Sequence, residues 1–161
     1  MENPPENPAG RPHLFVREGG RIVDAPPADQ AVAAGYAQAA DKGHAAGGYR
    51  LTLLAEGPAC TVGQTVRIIH VCESVAADAP VYPMGPKPVT GEYVDGQLVA
   101  PQGPADDHPL IPPSYDGRVA PGPGLDFNFD ITEYTFGTPG RHSVQWRPGS
   151  WESNTLWFDV T

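Results

Sequence analysis

Three runs near the end of the chain, residues 125–131 (LDFNFDI), 142–146 (HSVQW) and 156–160 (LWFDV), alternate apolar and polar positions. A period of two marks strands with one buried face, and the Gly, Pro, Ser and Asn between the runs supply turns. Parity predicts that Leu125, Phe127, Phe129 and Ile131 share one face. It groups His142, Val144 and Trp146 in the same way, and Leu156, Phe158 and Val160. Upstream, Tyr49–Ala55 and Thr65–Cys72 carry the same kind of signal. In the second of these, Val66, Ile68, His70 and Cys72 fall on one face, with Arg67, Ile69 and Val71 on the other. Arg67 marks the first set as core-facing, so Leu51, Leu53, Val66 and Ile68 are expected to oppose the closing strands across an all-β sandwich over 47–161.

The N-terminal part reads differently. Residues 1–12, rich in Pro, Glu and Asn, are expected to be a mobile arm. The segments 13–17 (HLFVR) and 21–24 (RIVD), separated by Glu18-Gly19-Gly20, form a hairpin pattern that is only marginally stable unless it packs on something. Alanines between Ala28 and Ala46 predict one short helix, with Pro27 or Asp29 near its start and Gly43 or Gly47 near its end. Val32 and Tyr36 would share a helix face, although Gly35 weakens the pattern and a disordered Ala-rich linker is the alternative. The expected organisation is thus an arm (1–12) and a single domain (13–161), made of a hairpin and helix (13–46) and a sandwich (47–161).

Between Asp78 and Gly124 lie eleven of the twenty prolines, and proline excludes most of this stretch from central strands. Val89–Val94 and Gln97–Ala100 around Asp95-Gly96 are the exception, a two-residue hairpin. Pro101–Gly124 is then a long excursion. Loops of that length are usually functional or disordered, and the prolines favour an ordered, semi-rigid one.

Composition sharpens this picture by exclusion. The 161 residues carry a net charge of −9 and only 18% charged residues, with ten Lys and Arg scattered singly. No basic stripe follows a phosphate backbone, so nucleic acid is not an expected partner. No apolar run approaches the ~20 residues of a membrane span, and the N-terminus lacks a signal-peptide pattern. The expectation is a cytoplasmic monomer or homodimer. In that compartment Cys60 and Cys72 would be structural thiols, with a disulfide, a metal role or a redox role as alternatives.

Candidate chemistry is sparse. Among the five histidines only His70 and Cys72 share a strand face, and His70 and His142 fall at opposite strand ends, roughly 20 Å apart at ~3.3 Å per residue. Neither a metal site nor a cofactor is expected. Asp106, Asp107, His108 and Asp116 offer oxygen ligands, but at spacings that match no established cation loop, so they read as solvated loop charge. No nucleophile elbow or phosphate-cradling loop occurs. Trp151 and Trp157 fall outside the buried parity and read as interface anchors. The alternative is that a Trp covers the core edge or packs under the proline-rich loop.

The stretch 127–146 (FNFDITEYTFGTPGRHSVQW), followed by 153–160 (SNTLWFDV), resembles the end of bacterial immunoglobulin-like sandwiches. Tyr49–Leu53 and Val62–Val66 resemble their opening strands. Intracellular proteinase inhibitors and accessory domains of hydrolases belong to that group. Residues 140–151 (GRHSVQWRPGSW) are also similar to the Arg-Pro-Trp loop of chagasin-like cysteine-protease inhibitors, with Gly149-Ser150 inserted before Trp151. The resemblance implies a non-catalytic protein-binding module, either a protease inhibitor or an accessory domain. Its contacts would be Arg147, Trp151, Trp157 and Tyr115. The competing expectation is a small enzyme of specialised metabolism. Its small-molecule ligand would sit in a pocket between the sandwich and the N-terminal elaboration, with Tyr82, Glu92, His108, Tyr115 and His142 as polar groups.

Overall fold

The computed structural model describes residues 14–161; the expected arm at 1–12, and His13, lie outside them. The protein is an all-β sandwich with an N-terminal hairpin. The hairpin pairs β1 (Phe15–Glu18) with β2 (Arg21–Asp24), and Gly19 and Gly20 turn it at positive φ. The first sheet runs β10 (Thr132–Thr135), β6 (Thr65–Ser74), β4 (Tyr49–Leu54), β3 (Ala45–Ala46), with β9 (Gly124–Asp126) also pairing β6. The second runs β5 (Ala59–Cys60), β12 (Thr155–Val160), β11 (Gly140–Trp146), β7 (Glu92–Val94), β8 (Gln97–Ala100). The Asp95-Gly96 turn, both residues at positive φ, joins β7 to β8 as expected.

The core between the sheets follows the parity of the sequence. Leu51, Leu53, Val66, Ile68 and Cys72 from the first sheet meet Val144, Trp146, Phe158 and Val160 from the second. Strand β6 is buried on both sides, however. Ile69 and Val71 belong to a second cluster with Leu14, Ala33, Tyr36 and Phe127, beneath the N-terminal elaboration. Burying each large side chain in that cluster contributes roughly 1.5–3 kcal/mol, which a free hairpin lacks. Arg67 lies on this second face half-buried: Nε and Nη2 clamp the buried Asp29 carboxylate at 2.8–3.0 Å.

Two expectations need correction. The α-helix, α1, spans only Pro27–Ala34. A 3₁₀ turn, Gly35–Gln38, follows and buries Tyr36, so the expected short helix is present in place of a linker, but it ends well before Gly43 or Gly47. Gly35 ends the helix while Val32 and Tyr36 still serve the same cluster. The single-face assignment of Leu125, Phe127, Phe129 and Ile131 also fails. Asp126 Oδ1 accepts from the Asn128 N–H at 2.9 Å and the Phe129 N–H bonds the Phe127 carbonyl at 3.0 Å. This tight turn breaks the alternation. Phe127 joins the cluster under the helix and Phe129 enters the sandwich core.

Both cysteines are buried and free, Cys60 on the second sheet and Cys72 on the first. Among the described residues no helix is long and apolar enough to cross a membrane.

Candidate functional site

The loops after β6, after β8 and after β11 collect at one end of the sandwich. The proline-rich excursion is ordered there by contacts that sequence could not show. Gln102 Nε2 donates to the Arg147 carbonyl at 2.7 Å, and its Oε1 accepts from the Gly149 N–H at 3.1 Å. Thr90 Oγ1 donates to the Pro109 carbonyl, and Leu110, 3% exposed, enters the main core. Val81 and Ala120 exchange backbone bonds at 2.8 Å, closing the far side of the loop. Between these tethers lies an open cleft of about 500 Å³ lined chiefly by Pro88, Pro104, Pro109, Leu110, Ile111 and Pro112.

Trp151, half-buried, is a strut of this end. Its Nε1 donates to the Ala46 carbonyl at 2.8 Å, and its ring meets Tyr49 edge-on at 5.9 Å and stacks on His108 at 5.9 Å. It therefore both covers the edge of the core and packs beneath the proline-rich loop. His108 Nδ1 accepts from the Leu110 N–H at 3.1 Å, and partial desolvation holds its pKa below the ordinary range. Tyr82 bridges His108 (6.5 Å) and Tyr115 (5.5 Å). The Tyr115 hydroxyl accepts from the Met84 N–H and donates to the Arg118 carbonyl at 2.6 Å, which pins the loop. Behind Tyr82 and His108 a cavity of about 10 Å³ touches Tyr49, Cys72 and Asp126. That is room for one water and no substrate.

The remaining candidates are elsewhere. Glu92 is fully buried between the sheets. It accepts from His70 Nε2 at 2.5 Å, Thr132 Oγ1 at 2.6 Å and the Tyr134 hydroxyl. Burial pushes the Glu92 carboxyl up, but the adjacent imidazole and the three hydrogen bonds together outweigh it and leave the pKa lowered. His142 sits near the opposite end of its strand, stacked on Phe136, and donates from Nδ1 to Asp95 Oδ2 at 2.6 Å and from Nε2 to the Thr138 carbonyl at 2.8 Å. Trp157, 47% exposed, lies on β12 under the Arg141 guanidinium, while Arg147 covers Tyr93 on β7 at 4.0 Å. The enzyme set therefore separates into a Tyr82–His108–Tyr115 group, a core carboxylate and a distant imidazole. Among the described residues no group of three or more His, Cys, Asp or Glu forms a cluster suited to a metal ion.

Two features went unforeseen. Lys87, 2% exposed, pairs with Asp126 at 2.9 Å and donates to the Tyr82 and Met84 carbonyls, holding the loop after β6 against Phe129. Asn154 satisfies both backbone groups of Leu53, accepting its N–H at 2.7 Å and donating to its carbonyl at 3.2 Å. One side chain thereby sews the start of β12 to β4. A lone Lys among prolines gives no sequence signal for such burial; for Asn154, the polar residue just before an apolar run was the available hint.

No protein-family model, curated protein or solved structure matches the chain. The geometry of the loops is therefore what bears on function.

Proposed function

We propose that the chain is a non-catalytic protein-binding module whose contact surface is the proline-lined cleft. The observation that carries this is how the polar groups of the cleft are used. Thr90 and both ends of Gln102 are already bonded to the protein's own backbone, which leaves proline rings and Ile111 facing the opening. Such a lining recognises apolar or aromatic side chains presented by an extended segment, and rigid prolines lower the entropy lost on binding. Asp107 and His108 at the rim add orientation but no acid–base pair. An enzyme reading draws no comparable support, because Glu92, His108 and His142 do not converge. A protease is the partner class that the resemblance to inhibitor sandwiches suggests. A reducing compartment, where Cys60 and Cys72 stay unpaired, fits the cytoplasm.

The test pairs Pro104→Asp and Ala105→Asp, both at exposed positions of the cleft, with affinity capture and with inhibition assays on cysteine and serine proteases. The expected outcome is that the wild type retains a partner or inhibits a protease, while both variants lose this with melting temperatures near the wild-type value. Retention of the same partner by both variants would move the contact surface away from the cleft.

A further inference from the structure

The edges of the sandwich are unequal. Strands β3 and β5 are two residues each, and Pro58 precedes β5. The Ala46 carbonyl on β3 is taken by the Trp151 indole. On β10, Glu133 supplies a charge and pairs with Arg67 at 3.0 Å. Short edges, proline and charge are the usual ways in which sheets avoid pairing with other chains. Strand β8, which ends the second sheet, has four residues with neither charge nor proline among them, and Pro101 follows directly. It reads Gln-Leu-Val-Ala, and Leu98 and Val99 are 47% and 46% exposed. Its one irregularity is a bulge between the pairs Tyr93–Leu98 and Glu92–Ala100, which bends the strand near its end but leaves Leu98 in register.

From this edge we infer that two copies of the chain pair through β8, antiparallel and about a twofold axis at Leu98. The Val94–Gln97 pair closes a two-residue turn, so it is the hydrogen-bonded pair of the hairpin. Leu98, the next residue, therefore directs its N–H and C=O away from β7. Two such strands placed Leu98 to Leu98 exchange both bonds. The two leucines and the Tyr93 opposite each, its ring covered by the Arg147 guanidinium, then form one line across a continuous ten-stranded sheet. A second copy fits this edge for electrostatic reasons as well. The chain carries a net charge of −9, yet residues 96–105 contain no charged side chain, so copies that repel elsewhere meet here without facing charges. The pairing is isologous and consumes the edge, so it stops at a dimer. Four-residue strands bury less than the ~1,200 Å² of a stable complex, which makes the dimer concentration-dependent.

Sedimentation velocity over a concentration series reaching the millimolar range tests this. The wild-type mass should rise toward that of a dimer, and added salt should strengthen association by screening the like net charges. Leu98→Lys should remain monomeric throughout with an unchanged melting temperature. Leu98→Cys should form a homotypic disulfide on mild oxidation, because hydrogen-bonded partners in an antiparallel pair lie ~5.5 Å apart between Cα atoms, within disulfide reach. A wild type that stays monomeric, a Leu98→Lys variant that dimerises as the wild type does, or failure of the Leu98→Cys protein to cross-link would each overturn the inference.

Discussion

Two histidine–carboxylate pairs of nearly equal length occupy opposite environments. His70 and Glu92 meet at 2.5 Å with both side chains fully buried, edge-on to Trp146 at 4.9 Å. His142 and Asp95 meet at 2.6 Å with the carboxylate 44% exposed. The same chemistry therefore serves two purposes, and burial decides which. In the core, Glu92 collects donors from β6 and β10 of one sheet while itself belonging to the other. A carboxylate there is tolerated only because three donors face it, and they in turn fix how the sheets align. At the surface the pair holds a hairpin turn: Asp95 Oδ1 accepts the Ser143 N–H at 2.8 Å while Oδ2 accepts from His142.

Removing one partner from each pair breaks the comparison open. Glu92→Ala should cost about 3–5 kcal/mol in chemical denaturation, because the buried His70 and the half-buried Thr132 and Tyr134 lose their acceptor together; a cost below about 1 kcal/mol would mean that water or a rearranged Tyr134 replaces it. The lowered pKa of Glu92 has a second consequence. Its stabilisation is present above the ordinary carboxylate range and disappears as pH falls through the folded value, so acid unfolding should begin later in the wild type than in Tyr134→Phe.

That same Tyr134→Phe substitution gives the intermediate case. One donor to a charged acceptor is lost while the ring stays packed, and about 1.5–3 kcal/mol should follow. Thermal melts of Thr132→Val beside it separate the two hydroxyls, both of which bond Oε1.

The smallest effect belongs to His142. Its hydrogen bond to Asp95, and next the Thr138 carbonyl, raise its pKa. A group raised in the folded state contributes fully below the unfolded value of ~6.5 and is lost as pH rises through the folded one. The melting temperature should therefore fall slightly as pH rises above ~6.5 and through the folded value from this source, and His142→Gln should flatten that segment of the profile. An identical slope in the variant would assign the dependence to another group.

The sandwich was legible because period two survives wherever a strand has one wet face: Val144, Trp146, Phe158 and Val160 are buried as their parity demands. It was less legible where local hydrogen bonds override alternation, as at Phe127–Phe129, and where both faces are covered, as on β6. There Arg67 looked like a solvent marker but answers a buried Asp29. The candidate site was harder still. Apolar parity gave no place to Trp151, and its indole proved to be spent on Ala46 and His108. Glu92 and His142 looked like pocket groups by residue type alone. Convergence of side chains depends on loop paths, and in this chain those paths are set by single tethers such as Gln102 and Lys87 that leave no periodic trace.

Strand β6 bonds β4, β9 and β10 and carries apolar side chains on both faces. It is a party wall between two rooms. The N-terminal hairpin and helix are therefore roofing and not ornament: a version trimmed to the bare sandwich would present Ile69, Val71 and Phe127 to water as one sticky face. For anyone recombining this scaffold, the cut that respects its physics falls outside Leu14, and grafting belongs on the opposite sheet, whose outer surface already tolerates solvent.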